Sequence, residues 1–214
     1  MAQTTVIIPA DEALQKLQHR RKRALHAIGF VCLLLLFVTQ SRWSMAAPRF
    51  HGLLQQVGLL LVVLCILGRT WSALYIGGYK KRELITAGPY SLVRNPLYVF
   101  TIIGTAGIGI MAGSLVCALL FAGFAIAVFS YVTRAEEAFL ANIFGQEFHA
   151  YMARVPRFWP RFSTWRDVEE LAVRPRPVLR TFLEACLFLL ALPLIEAKDL
   201  LQASGWLPVL LSLP

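Results

Sequence analysis

The sequence predicts an all-α, multi-pass transmembrane helical protein: four core spans plus a C-terminal apolar hairpin, with amphipathic helices at the cytoplasmic face. Three observations carry this prediction. Hydrophobic residues make up 57% of the 214 residues and charged residues only 15%, with a mean hydropathy of +0.62, far too apolar for a soluble domain of this length. The apolar residues gather in long separate runs rather than alternating as in strands. Lysines and arginines flank those runs unevenly, as they do in the loops of membrane proteins.

The chain opens with a polar stretch ending in His19-Arg20-Arg21-Lys22-Arg23, followed by an apolar run over residues 24–38 and an interfacial end over 39–43. The basic cluster starts late for a signal peptide and Met45-Ala46-Ala47 is a weak cleavage site, so the run reads as a retained first span. Residues 53–76 give a second span, long enough for a hydrocarbon core of roughly 30 Å. Arg69 and Trp71 near its end read as a snorkelling base and an aromatic belt. Residues 97–111 and 115–132 form the third and fourth spans, joined by the tight Ala112-Gly113-Ser114 turn into a transmembrane hairpin. Gly104, Gly107 and Gly109 let the third helix approach its neighbours closely. Beyond residue 160 a basic segment reaches Arg180. Residues 181–195 and 200–213 then make two shorter apolar runs around Glu196, Lys198 and Asp199, read as a hairpin that either spans or re-enters. The chain thus divides into a basic N-terminal segment with the first span (1–52), a membrane core (53–160), and a basic linker with the C-terminal membrane hairpin (161–214).

The formal net charge of +9 suggests nucleic acid at first sight. The charge lies in loops beside apolar runs, however, and no aromatic–basic RNA module is readable, so anionic lipid headgroups are the expected partner and nucleic acid is not. Eighteen of the 21 lysines and arginines belong to the N-terminal segment, the 69–94 stretch and the 134–180 stretch, which leaves Arg42, Arg49 and Lys198 for the other side. The positive-inside rule then puts the N-terminus and both of those loops in the cytoplasm, where they can build one site. Cys32, Cys65, Cys117 and Cys186 sit singly in four apolar segments with no C-x-x-C, as small buried hydrophobes rather than disulfides or metal ligands.

Two segments hold the chemistry. Residues 134–160, RAEEAFLANIFGQEFHAYMARVPRFWP, begin as the fourth span ends, so Glu136 and Glu137 sit at its mouth. Glu137, Leu140, Phe144, Phe148 and Tyr151 recur every three or four residues, which puts an acid and a row of aromatics on one helical face. Gly145 breaks the stretch into two short helices, and Pro156 with Pro160 ends it. Such a face either lies flat on the bilayer or forms one wall of a small-ligand pocket; His149 reads as a surface residue. The other segment runs from Lys80-Lys81-Arg82 through the Gly88-Pro89-Tyr90 turn to Val93-Arg94-Asn95-Pro96-Leu97-Tyr98. Pro96 suits the first turn of the third helix, with Asn95 placed to cap it. A capped start turns backbone N–H groups and the positive end of the helix dipole toward the cytoplasm, a cradle for a carboxylate.

Taken together, G-P-Y-x-x-V-R-N-P-x-Y opening the transmembrane hairpin and E-E-x-x-L-x-x-x-F-G-x-x-F-x-x-Y-x-x-x-V-P-R-F closing it resemble the isoprenylcysteine carboxyl methyltransferase family. That family belongs with the phospholipid methyltransferases among small integral-membrane enzymes. The resemblance covers about residues 53–160, and it implies methyl transfer from S-adenosylmethionine to a lipid-borne acceptor in a pocket at the cytoplasmic face. The family's R-H-P-x-Y motif falls on Arg94, Asn95, Pro96 and Tyr98, and its paired glutamates fall on Glu136 and Glu137. Its two aromatics after F-G fall on Phe148 and Tyr151, and the arginine of V-P-R-F on Arg157. Three positions depart from the pattern. Asn95 stands where histidine is frequent and cannot act as a base near neutral pH; Phe148 replaces the usual tyrosine; Phe100 stands where glycine is common.

On this resemblance the cofactor-binding set is Tyr90, Val93, Arg94, Asn95, Tyr98, Glu136, Glu137, Leu140, Phe144, Phe148 and Tyr151, and the catalytic set is Arg157, Glu137 and Asn95. The residue chemistry agrees: Arg94 and the helix start suit the cofactor's carboxylate, a glutamate suits its ribose hydroxyls or ammonium, and the aromatics suit adenine or the sulfonium. Methyl transfer is an in-line displacement that needs mainly alignment and exclusion of water. A prenylcysteine-like carboxylate, with a pKa near about 4, needs no base and Arg157 would orient it; an amine or thiol must lose a proton, and a glutamate then matters. N-, O- or S-methylation of another lipid or hydrophobic small molecule is the alternative. From another class, the alternative is a non-catalytic transporter or scaffold; a transporter would bury polar groups mid-membrane, whereas these spans are nearly charge-free. The expected partners are the lipid bilayer and a lipidic or prenylated acceptor, with no metal and with homo-oligomerisation left open.

Overall fold

The computed structural model describes residues 8–76 and 83–214; the Lys80-Lys81-Arg82 run lies outside the described residues. In chain order, α1 (Ile8–Val38) leads through β1 (Thr39–Ser41) and a single turn, α2 (Trp43–Ala46), into α3 (Pro48–Ile76). A second single turn, α4 (Pro89–Leu92), precedes α5 (Pro96–Met111) and α6 (Leu115–Arg154). A 3-10 turn at Phe162–Thr164 is followed by α7 (Pro175–Cys186), α8 (Ala191–Ala203) and β2 (Leu211–Leu213). Among the described residues, α3, α6 and the rod Pro175–Ala203 are long and apolar enough to cross a membrane, and α5 is a shorter apolar helix.

The bundle closes on small residues and stripes. In α1, Ala24, Ile28, Cys32 and Leu36 repeat every four residues and pack with Cys117, Phe121, Ala125, Phe129 and Val132 in one core. A methyl group added to Gly58 of α3 would overlap the backbone of Gly107 and Met111, and one added to Gly109 would overlap the backbone of Ala118. The glycines of α5 therefore do what their spacing predicts: they bring α3 on one side and α6 on the other to backbone contact. Cys32, Cys65 and Cys117 are buried and unpaired, and Cys186 is half-buried.

Four expectations change in detail. The charged trio Glu196, Lys198 and Asp199 does not mark a turn, because the helical rod runs straight through it to Ala203. Lys198 is buried, donating to the Thr39 carbonyl at 3.2 Å and pairing with Asp199 at 2.6 Å, so it caps the end of α1 instead. The rod tightens into a 3-10 turn at Leu187–Leu190, just before Pro193. It stops at Gly205 (φ 77°), where the Trp206 and Leu207 amides both return to the Leu201 carbonyl. The second apolar run is an extended tail whose β2 pairs in parallel with β1, Thr39 opposite Leu211 and Ser41 opposite Leu213. In place of a helical hairpin there is one helix and a strap.

The second change is in α6. Gly145 does break it (φ 53°, ψ −125°), but the first of the two expected short helices is the unbroken continuation of the membrane helix, so α6 carries Glu136 and Glu137 on the rigid end of a span. Third, Arg69 does not snorkel: it is buried between α3 and α5 and donates to the Thr101 hydroxyl, which itself donates to the Leu97 carbonyl at 2.7 Å. Fourth, Phe100 is a packing residue. Its ring fills the space that a side chain on Gly68 would take and meets Trp71 edge-on, so the departure from glycine at 100 is matched by a glycine at 68.

At one end of the bundle, residues 155–167 fold back as a strap over the α4 turn. The Arg94 amide donates to the Pro156 carbonyl (2.9 Å), Arg161 to Leu92 (3.0 Å) and Gly88 to Arg166 (2.8 Å). The Thr164 hydroxyl donates to the Ser91 carbonyl at 2.7 Å, and the Tyr75 hydroxyl to Asp167 at 2.8 Å. Gly88 adopts a positive φ with the Tyr75 ring against it, a position no side chain could take. Arg42, Arg49 and Lys198 lie at the opposite end, where Ser41 donates to the Gly113 carbonyl and Ser114 to the Pro214 carbonyl.

Candidate active site

The end of α3, the stretch from Glu83 to Arg94, the start of α5 and the outer part of α6 line a cavity of about 800 Å³ with its open mouth included. Its polar wall holds Arg94, Asn95, Glu136 and Glu137. Its aromatic wall holds Tyr90, Tyr98, Phe144, Phe148 and Tyr151, with Leu140 between them. Of the residues the motifs single out, two stand elsewhere. Val93 is buried at the end of α4 and does not line the cavity, and Arg157 supports the wall rather than forming it.

Glu137 is the centre of the polar wall. It is 7% exposed, and the Arg157 guanidinium grips it with Nε at 3.2 Å from both carboxylate oxygens and Nη2 at 2.6 Å from Oε2. Arg94 Nη1 stands 3.6 Å from Oε1, and Asn95 Nδ2 donates to the same oxygen at 3.4 Å. Asn95 therefore occupies the cap position of α5 without capping it: its amide is turned to Glu137 and to the Arg157 carbonyl, since a carboxylate is the stronger acceptor. A positioning network of two cations, one amide and one anion replaces the simple helix cap.

Glu136 is held differently. The Tyr98 hydroxyl donates to its two oxygens at 3.0 and 3.1 Å, while the Tyr98 ring stacks on Phe129 of α6 with centroids 4.4 Å apart. Tyr151, past the break in α6, donates to the Tyr90 carbonyl at 2.7 Å and joins Phe148 and Val155 in a small core packed by Leu84, Leu140 and Phe144. Burial lowers the pKa of Arg94 from the ordinary arginine value, opposed by the Glu137 carboxylate and reinforced by Arg157. Burial raises the Tyr151 phenol, with Arg94 pulling the other way, so this hydroxyl is a hydrogen-bond donor and not an acid.

Six lining residues lie outside the expected cofactor-binding set: Ile76, Glu83, Leu84, Ile85, Pro96 and Leu97. Pro96 and Leu97 lie inside the Arg94–Tyr98 motif and were readable as neighbours. The Glu83-Leu84-Ile85 group carries only a weak signal, an apolar pair after a basic run, and Leu84 is placed by packing on the Phe148, Tyr151 and Val155 cluster. The side-chain chemistry fits S-adenosylmethionine: acidic groups for hydroxyls and an ammonium, a guanidinium for a carboxylate, and aromatic faces for adenine and a sulfonium. Among the described residues no group of three His, Cys, Asp or Glu could hold a metal ion.

A family model described as phospholipid methyltransferase matches residues 50–147, which includes both glutamates and the Arg94–Tyr98 motif. The cobalt-zinc-cadmium resistance protein CzcN of Cupriavidus metallidurans is 39% identical over 187 residues, 87% of this chain and 84% of that protein. The nickel-cobalt-cadmium resistance protein NccN of Alcaligenes xylosoxydans xylosoxydans is 35% identical over 195 residues, 88% of this chain and 90% of its own. Protein-S-isoprenylcysteine O-methyltransferase of Schizosaccharomyces pombe is 36% identical over 77 residues, 36% of this chain and 33% of that protein. No solved structure matches at a significant level. With motif pair and family model falling on the same core, residues 50–147 belong to the phospholipid methyltransferase family, and the chain belongs with CzcN and NccN over most of its length.

Proposed function

We propose that the protein transfers a methyl group from S-adenosylmethionine to a small lipidic acceptor that reaches the cavity from the bilayer at the cytoplasmic face. The observation that carries this reading is the gathering of Arg94, Asn95, Tyr98, Glu136 and Glu137 with four further aromatics around one cavity at the end of the spans. When bound, the cofactor supplies an electrophilic methyl on a sulfonium. The chain's own residues orient and dry that site. Arg157 and Arg94 fix Glu137, and Glu137 in turn fixes the Asn95 amide. Tyr98 donates to Glu136, whose carboxylate lies at the cavity wall. Leu140, Phe144, Phe148 and Tyr151 form an apolar wall that excludes water.

The acceptor follows from proton chemistry. A prenylcysteine-like carboxylate arrives ionised and requires only orientation, but Arg157, the residue expected to orient it, already grips Glu137. An amine or thiol acceptor needs a place for its proton, and Glu136 at the cavity wall is the group we assign to that role. The experiment is methyl transfer from methyl-labelled S-adenosylmethionine by purified protein, given total membrane lipid and a synthetic prenylcysteine. Label released as methanol by mild base identifies a carboxyl ester; base-stable label in lipid identifies N-, O- or S-methylation. No transfer together with no cofactor binding by calorimetry would return the protein to a scaffold or transporter role. The names of CzcN and NccN add a role in metal tolerance exerted through a methylated membrane component. Metal sensitivity of a deletion strain, complemented by wild type but not by Glu136→Gln, checks it.

A further inference from the structure

The strap carries a surface that the cavity does not use. Trp159 is 84% exposed, Phe162 75% and Trp165 47%, three aromatics at intervals of three residues. Arg154, Arg161 and Arg166 are exposed among them, and residues 154–166 contain four arginines and no acid. Exposed tryptophan with arginine is costly in water and favourable in the headgroup layer, where the ring is apolar and its N–H stays wet. The segment is tethered at both ends. One end continues from α6, the other leads through the exposed Arg174, Arg176 and Arg180 into the rod Pro175–Ala203, and Trp165 packs on Trp71 of α3 with centroids 6.0 Å apart. The acids that follow lie outside the run of aromatics: Asp167 is exposed and accepts from the Tyr75 hydroxyl at 2.8 Å, and Glu169 and Glu170 are exposed further along the chain.

We propose that this surface is seated on the anionic headgroups of the bilayer that holds the spans, and that the seat braces the site from outside. Arg157 lies in the middle of the segment with its side chain directed the other way, onto Glu137, and the Pro156 and Arg166 carbonyls accept from the Arg94 and Gly88 amides. Lipid charge therefore acts on the same short stretch that positions the clamp. This stands apart from the methyl-transfer reading, since it concerns depth and order and not turnover.

The test uses the full chain with a spin label at Ser163→Cys in a Cys186→Ala background, reconstituted in phosphatidylcholine vesicles with and without phosphatidylglycerol. The label at 163 collides several-fold less with a water-soluble nickel chelate than one at Glu169→Cys. Phosphatidylglycerol slows exchange of the Gly88 and Arg94 amides several-fold. Arg161→Glu with Arg166→Glu abolishes that lipid response while amides of α3 and α6 remain protected, which separates lost docking from lost fold. Equal chelate access at 163 and 169 in both vesicles overturns the proposal, as does a lipid response that survives the charge reversal. Burial of residues 159–165 by a soluble protein in place of lipid would also overturn it.

Discussion

Replacing Glu137 by glutamine keeps the shape of the side chain and removes the one anion between two guanidinium groups. The structure sets the size of the effect. Arg157 makes three contacts of 2.6–3.2 Å to this carboxylate, while Arg94 stands at 3.6 Å and Asn95 at 3.4 Å. Breaking a fully buried pair costs about 3–5 kcal/mol and an exposed one about 0–1 kcal/mol. Glu137 is buried but the Arg157 side chain is 33% exposed, so solvent recovers part of the loss. The expected cost is therefore about 2 kcal/mol, equivalent for a chain of this length to a fall of about 4–8 °C in Tm. Thermal unfolding in detergent measures it, at one scan rate for all variants. Adding Arg157→Met completes a double-mutant cycle, with a coupling of about 1.5–3 kcal/mol expected for a charged hydrogen-bonded pair. A coupling below about 0.5 kcal/mol, the ordinary scatter of additive sites, would refute the claim that these two groups act as a unit. Under the proposed function both single variants also weaken S-adenosylmethionine binding, roughly tenfold for each 1.4 kcal/mol of lost preorganisation.

Three further outcomes follow from the same contacts. Gly145→Ala puts a side chain at φ 53° where nothing lies within 4 Å, so its cost is backbone strain alone, about 1–3 kcal/mol, read as a lower Tm. Gly68→Ala collides with the Phe100 ring and destabilises α3 against α5; adding Phe100→Ala recovers part of the lost Tm, whereas additive losses would contradict the packing argument. Tyr98→Phe keeps the stack on Phe129 but removes the donor to Glu136, costing about 1.5 kcal/mol by thermal unfolding and lowering methyl transfer more than a loss of that size in folded protein accounts for.

Much of the site was legible because its residues are near in sequence. Glu137, Leu140, Phe144, Phe148 and Tyr151 share a helical face by periodicity, and Arg94 to Tyr98 is a continuous stretch, so each half of the cavity could be read from spacing. What joined the halves was the resemblance, since no local rule says that a loop at 94 meets a helix at 137. The same limit holds for partners far along the chain. Arg157, expected to orient the acceptor, binds Glu137; Asn95, expected as a helix cap, turns its amide to that carboxylate; Val93 packs behind the cavity.

The amino-acid sequence by itself determined the helical membrane class, the positions of α3, α5 and α6, the Gly145 break and the asymmetry of charge. These follow from apolar run length, helical period and backbone conformation, which are properties of neighbours along the chain. Only the tertiary structure decided that the last apolar run is an extended strap on β1, that Lys198 and Arg69 are buried with partners, and that residues 155–167 fold back over the α4 turn. In each case the partner lies far away in the chain: Lys198 meets Thr39, Arg69 meets Thr101, and Arg166 meets Gly88. A buried polar group must be satisfied by some donor or acceptor, but which one reaches it is settled only when the helices pack.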